Sequence, residues 1–201
     1  MKCRAAVLHT IGAPPPYGTS KPIKIEEIEL EAPGDGEVLV KVAAAGLCHS
    51  DLSVLNGSRP RPLPMVIGHE AAGVVTSIGP GVTNLDVGDH VVFVFVPSCG
   101  DCIPCGEGRP ALCEPGAKAN VAGTLLGGGQ RISLNGKPVT HHVGVSCFAE
   151  YAVVSQCSLV KVSKNLPLDQ AALFGCAVIT GVGAVVNTAE MKMGSVAVIV
   201  G

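Results

Sequence analysis

Long apolar runs are missing from this 201-residue chain. No stretch approaches the roughly 18 apolar residues of a membrane-spanning helix. The N-terminal Met-Lys-Cys-Arg-Ala-Ala-Val-Leu-His holds only a four-residue apolar run, too short for the core of an export signal. Charge is also scarce: 15% of residues are charged, the net charge is −2 and no basic cluster stands out. That gives no footing for nucleic-acid or anionic-membrane binding. Several catalytic signatures are missing as well. There is no Gly-x-Ser-x-Gly elbow, no phosphate-binding Walker loop and no His-Glu-x-x-His helix.

What remains is apolar and rich in turn residues. The chain is 47% hydrophobic with mean hydropathy +0.45, the composition of a globular core without disorder. Its 26 Gly and 15 Pro disfavour long helices, and Val-rich runs between them favour strands. Strands are expected at Lys2–Thr10, Pro22–Leu30, Glu37–Gly46, around Gly73 and Gly79, at His90–Val96 and within Phe148–Val162. Residues 116–145 are Gly-rich and weakly patterned, and read as a surface excursion. A helix start is expected at Asp169–Phe174. Ser195-Val-Ala-Val-Ile-Val-Gly201 reads as a buried strand ending in Gly, as a Rossmann unit begins. Of two other glycine clusters, 127–129 leads into no helical pattern and 181–183 lacks the third Gly and follows no strand, so neither reads as a phosphate cradle.

Four of the nine cysteines fall in Cys99-Gly-Asp-Cys102-Ile-Pro-Cys105, continuing to Cys113. The spacing C-x2-C-x2-C-x7-C, with Gly and Pro between, lets four sulfurs converge as the ligands of a closed structural zinc site. Disulfides are the first alternative, weakened by the odd cysteine total and the lack of an export signal. An iron–sulfur cluster is the second, but its ligand run ends C-x3-C-P, whereas Cys113 is followed by Glu114. A thiol-redox pair at Cys99 and Cys102 lacks a thioredoxin-like βαβ context.

Three further segments stand apart: Gly46-Leu47-Cys48-His49-Ser50-Asp51, Gly68-His69-Glu70-Ala71-Ala72-Gly73, and Gly175-Cys176 with Thr180-Gly181. Taken singly, each Cys or His reads as an ordinary buried residue. Together with the cysteine loop, in this order, they make the chain resemble the zinc-dependent alcohol dehydrogenases of the medium-chain dehydrogenase/reductase family throughout its length.

The resemblance implies a mainly β, GroES-like partial barrel with a zinc lobe over residues 1–165. A helical connection over 166–194 and the first strand of a Rossmann coenzyme domain at 195–201 would follow, the chain ending there. It implies two zinc ions. The catalytic one would be held by Cys48, His69 and Cys176, and the structural one by Cys99, Cys102, Cys105 and Cys113. Ser50 would hydrogen-bond the substrate hydroxyl and begin a proton relay, Asp51 would orient His69 from behind, and Glu70 would exchange as a transient ligand. His49, Thr180 and Gly201 would meet the coenzyme, NAD or NADP, and Phe95 and Phe148 would wall the substrate pocket. The liver-type relay ends in a His three residues after the serine; here Ser53 stands there, so the proton must leave another way. His141 and His142 could replace that His, but their irregular segment reads as a solvated loop.

The expected activity of the complete protein is interconversion of an alcohol with an aldehyde or ketone, in the cytoplasm, as a homodimer or homotetramer, without nucleic-acid or membrane partners. The chain alone is expected to be inactive for want of a coenzyme domain. A non-catalytic zinc-binding domain is the alternative.

Overall fold

The structure, a computed structural model, describes residues 1–200. It is built mainly of strands: β1 (Lys2–Leu8), β2 (Ile23–Leu30), β3 (Glu37–Gly46), β4 (Met65–Val66), β5 (Glu70–Ile78), β6 (His90–Phe93), β7 (Ile132–Leu134), β8 (Lys137–His141), β9 (Tyr151–Ser155) and β10 (Leu159–Val162). The helices are short: α1 (Tyr17–Ser20), α2 (His49–Leu55), α3 (Ile103–Gly106), α4 (Glu114–Ala122), α5 (Leu168–Ala171) and α6 (Ala177–Gly183). None of the described helices is by itself long and apolar enough to cross a membrane.

Five strands close a small barrel in the order β1-β2-β7-β8-β4, and five form a second sheet in the order β10-β6-β5-β3-β9. The expected mainly β fold with a barrel is what the chain adopts. Val38 and Val40 of β3 are fully buried with Val91 and Phe93 of β6 and Val154 of β9, giving the second sheet its core. Burying a side chain of this kind contributes about 1.5–3 kcal/mol relative to leaving it exposed. Cys3, Ala5 and Val7 alternate inward along β1 and meet Ile28, Leu30, Ile132 and Val139 inside the barrel.

The register between β3 and β5 positions the chemistry. The strands are antiparallel and pair Gly46 with Glu70. The end of β3 and the start of β5 therefore lie side by side, and Cys48 and His69 emerge at the same edge. The turn of 3-10 helix over Ala172–Gly175 packs on β5, β6 and β3 and delivers Cys176 to that edge.

Two expectations are corrected here. Residues 116–145 are not a surface excursion, since they hold most of α4 and the strands β7 and β8 that close the barrel. The pattern is weak because β7 and β8 are short and pair with distant partners, Glu29 with Ser133 and Met65 with Thr140. Accordingly His141 and His142 are not solvated but 1% and 2% exposed. Ser195–Val200, expected as a buried strand, forms no strand and is exposed, because a strand needs a hydrogen-bonded neighbour and no described residue supplies one. Gly201 lies outside the described residues.

The burial of His141 has a measurable consequence. Its Nε2 accepts a hydrogen bond from the Arg131 amide at 3.2 Å. Burial, helped by the Arg131 charge, pushes its pKa down from 6.5 to about 4. The ring is neutral when folded, whereas the unfolded chain takes up a proton below about pH 6.5. Stability is therefore full above pH 6.5 and is lost as pH falls toward 4, by about 3 kcal/mol for this one group. His141→Gln keeps an acceptor for the amide but cannot titrate. Denaturant titrations between pH 7 and 4 should show a slope shallower by one proton in the variant; equal slopes would refute it.

Candidate functional site

Cys48 is the N-cap of α2. Its backbone is extended, and its sulfur accepts from the Ser50 amide at 3.5 Å while its own amide donates to Asp51 Oδ2 at 3.2 Å, a reciprocal capping box. The other oxygen, Asp51 Oδ1, accepts from His69 Nδ1 at 2.9 Å, both residues being buried. A carboxylate accepts from both donors at once; an asparagine has one acceptor oxygen and would leave one of them unmet. With Nδ1 protonated, His69 Nε2 keeps its lone pair for a cation.

The ligand atoms of Cys48, His69 and Cys176 lie within 4.8 Å of one another, and the two sulfurs are 3.8 Å apart. Two glycines make this possible. Gly68 has φ +97°, and a Cβ there would run into the Phe148 ring; a Cβ at Gly175 would collide with the Phe93 carbonyl. Glu70, 2% exposed, accepts from the Ala177 amide at 2.9 Å and so ties the Cys176 segment to β5.

The thiols titrate as crowded sulfurs do. Burial pushes Cys48 up, but hydrogen bonds led by the Ser50 amide, with Cys176 beside it, bring it below the ordinary thiol value. Burial and then Cys48 push Cys176 up to about 11. The protein's own groups thus favour one thiolate beside one thiol, and a divalent cation is what would hold both as thiolates. Two sulfurs and one imidazole fit zinc with a fourth position open.

The second cluster behaves alike. Cys99, Cys102, Cys105 and Cys113 converge within the same 4.8 Å limit. Backbone amides of Cys99 and Gly116 donate to Cys113 Sγ and that of Cys102 to Cys99 Sγ, at 3.2–3.4 Å. Backbone hydrogen bonds lower Cys99 to about 7. The Gly100 backbone also lowers Cys105, but burial and the other three sulfurs push it up to about 12. All nine cysteines are free, so neither cluster is a pair of disulfides.

Ser50, His69 and Phe95 line a cleft of about 120 Å³, with the Phe95 ring edge-on to His69 at 5.3 Å. Phe148 lies elsewhere, on a cavity of about 620 Å³ that also takes in Cys48, His49, Lys21 and Leu52. The two phenylalanines expected to share one pocket thus stand on different ones. Thr180 is exposed on α6 with its hydroxyl close enough to hydrogen-bond Cys176. Ser53 Oγ is committed to the His49 carbonyl at 3.1 Å.

The sequence reading sets His142 aside as a solvated loop residue, whereas the structure buries it beside the cluster. Its ring stands edge-on to His69 at 5.6 Å, and its Nδ1 is 3.4 Å from Asp51 Oδ1 without making a hydrogen bond. The adjacent pair His141-His142 was the available signal; its burial was not legible locally.

Residues 34–164 match the alcohol dehydrogenase GroES-like domain. The chain is 41% identical over 194 residues to an alcohol dehydrogenase class-3 of Drosophila melanogaster, covering 96% of this chain and 49% of that protein. It is 42% identical over 200 residues to an S-(hydroxymethyl)glutathione dehydrogenase of Synechocystis, covering 98% and 52%. An alcohol dehydrogenase zinc-binding domain protein from Burkholderia ambifaria superposes with a TM-score of 0.86 at 38% identity, covering 97% of this chain and 51% of that one. Benzyl alcohol dehydrogenase from Acinetobacter calcoaceticus gives 0.81 at 37%, covering 93% and 48%. The chain spans about half the length of the curated relatives it matches. With a family match over more than half its residues, this chain belongs to the alcohol dehydrogenase GroES-like domain family.

Proposed function

We propose that this chain is the zinc- and substrate-binding part of an oxidoreductase that interconverts an alcohol with an aldehyde or ketone, hydride passing to or from NAD or NADP. The observation that carries the reading is the convergence of Cys48, His69 and Cys176 beside the cleft that Ser50 lines. Relatives named for oxidation of alcohols and of S-(hydroxymethyl)glutathione support it.

Cys48, His69 and Cys176 would hold one zinc, and Cys99, Cys102, Cys105 and Cys113 the other. The first zinc, when bound, supplies Lewis acidity to the substrate oxygen, and the nicotinamide supplies the hydride acceptor. Ser50 Oγ takes the proton of the substrate hydroxyl. Asp51 fixes the His69 ring so that the imidazole keeps one orientation and tautomer. Glu70 holds the Cys176 loop through the Ala177 amide and keeps a second carboxylate oxygen for transient use. Ser53 cannot end the relay while its hydroxyl serves the helix backbone, so the proton leaves Ser50 toward the cleft and solvent. His49, exposed at the start of α2, and Thr180, beside Cys176, approach the centre from two elements and would contact the coenzyme. Free thiols throughout suit a reducing compartment such as the cytoplasm.

The test is turnover of the full-length protein with primary and secondary alcohols and each coenzyme. Ser50→Ala should lower kcat about 10²-fold, the lower range for loss of a positioned proton acceptor, with the metal content unchanged. Full activity in that variant would remove Ser50 from the chemistry. No alcohol-dependent coenzyme reduction by the wild type would remove the function.

A further inference from the structure

Five arginines occur in the chain. Arg4, Arg109 and Arg131 each meet carboxylates: Glu150, Glu107, and Glu31 with Glu37. Among the described residues, Arg59 and Arg61 meet none within ion-pair distance. Both line the same 120 Å³ cleft that Ser50 and His69 line, with Asn120 and His142 adding to its polar surface.

The two arginines stand in Arg59-Pro60-Arg61-Pro62, where the chain bends after α2, and both reach the same cleft. Arg59 is exposed and Arg61 half-buried, so the first stands nearer the mouth and the second deeper.

The cleft is also where polar groups go unmet. Arg61 Nε, Asn120 Oδ1 and His142 Nδ1 are buried without a hydrogen-bond partner among the described residues. His142 is 2% exposed, so bulk water does not satisfy it. Buried polar atoms are almost always paired, and three orphans on one cleft mark a place where a ligand's polar atoms are absent. Arg61, one of the three, and the exposed Arg59 on the same cleft, neither facing a carboxylate among the described residues, set the sign of that ligand.

The geometry points to an anion site in the substrate cleft: the substrate carries a carboxylate that Arg61 and Arg59 clamp, while its alcohol or aldehyde carbon lies at Ser50 and His69. This rests on the dehydrogenase reading for the reacting end only. Guanidinium forks match the two oxygens of a carboxylate bidentately. The volume limits the rest of the molecule. A cleft of about 120 Å³ restricts it to a short hydroxy acid or its aldehyde acid. Val54 and Phe95 supply apolar wall for the intervening methylenes.

The test uses the complete zinc-loaded protein. The ratio of kcat/KM for 4-hydroxybutanoate to that for pentan-1-ol should exceed about tenfold in the wild type. It should fall about tenfold to a hundredfold in Arg61→Gln, the range for losing charge-assisted hydrogen bonds. Arg59→Gln, at an exposed position, should lower the ratio less and serves should Arg61→Gln fail to fold. Calorimetric titration with butanoate against butanamide gives a readout without turnover: butanoate should bind the wild type and bind Arg61→Gln at least about tenfold more weakly. A wild-type ratio of one or below, a ratio unchanged in both variants, or butanoate binding indifferent to Arg61 overturns the anion site. Preference for 4-hydroxybutyl phosphate overturns the choice of carboxylate. If butanoate binds through Arg61 but no alcohol is oxidised, the anion site stands and the dehydrogenase reading falls. If alcohols are oxidised without discrimination, the reverse holds.

Discussion

Replacing Cys105 by serine is expected to remove one zinc per chain and to lower stability by more than about 4 kcal/mol, the range reserved for loss of a structural metal or comparable damage. The reason lies in what the lobe lacks. Between Ser98 and Cys113 only Cys113 is buried, while Ile103 is 73% exposed and Leu112 58% exposed. The segment has no apolar core, so a metal shared by the four thiolates would be what opposes the entropy of its short helices and turns. A serine hydroxyl is neutral near pH 7 and a poor zinc ligand, and three thiolates leave the shell open. The amide donors now aimed at Cys99 and Cys113 sulfurs would lose their anionic acceptors as the shell relaxes. Metal analysis and thermal melting check this, with limited proteolysis mapping cleavage to residues 98–113. A variant that keeps two zinc ions and melts within a degree or two of wild type would show that the lobe is held otherwise.

The convergence of that lobe's four cysteines was legible in the sequence because they sit within fifteen residues. The spacing alone restricts the geometry, and no tertiary information is needed. Cys48, His69 and Cys176 are the opposite case: they are 21 and 107 residues apart, and only the β3–β5 register and the turn before Cys176 unite them. Their meaning came from resemblance, and their convergence from tertiary structure. Strands β3 and β6 were legible because Val marks a buried face, with β3 matching at Glu37–Gly46. The barrel closure was not, because β4 is two residues long, β7 three, and each is held by partners far along the chain. Burial set by such partners leaves no local signature. This is why His141 and His142 read as loop residues, and why the Arg59–Arg61 pair gave no sign of sharing a cleft with His142.

Cys48→Ala is expected to abolish turnover of the complete enzyme, by more than about 10³-fold, since a metal's stabilisation of charge at the reacting oxygen is worth several kcal/mol. Metal analysis should find one zinc, the one in the cysteine lobe. Loss of activity alone would not separate ligand from scaffold, because Cys48 is also the N-cap of α2, and its sulfur accepts from the Ser50 amide. Alanine removes that acceptor at a cost of about 1 kcal/mol and loosens the helix that carries Ser50 and Asp51. Serine separates the two roles. It is among the preferred N-cap residues, so Cys48→Ser should recover the helix cap and the thermal stability. It cannot supply a thiolate, so the second zinc and the activity should stay lost. The capping box makes the contrast sharp, since Asp51 continues to join the residue-48 amide to His69 in both variants. If Cys48→Ser regained both stability and turnover, the sulfur would be a cap and nothing more, and the metal would have to rest on His69 and Cys176 with a ligand from elsewhere.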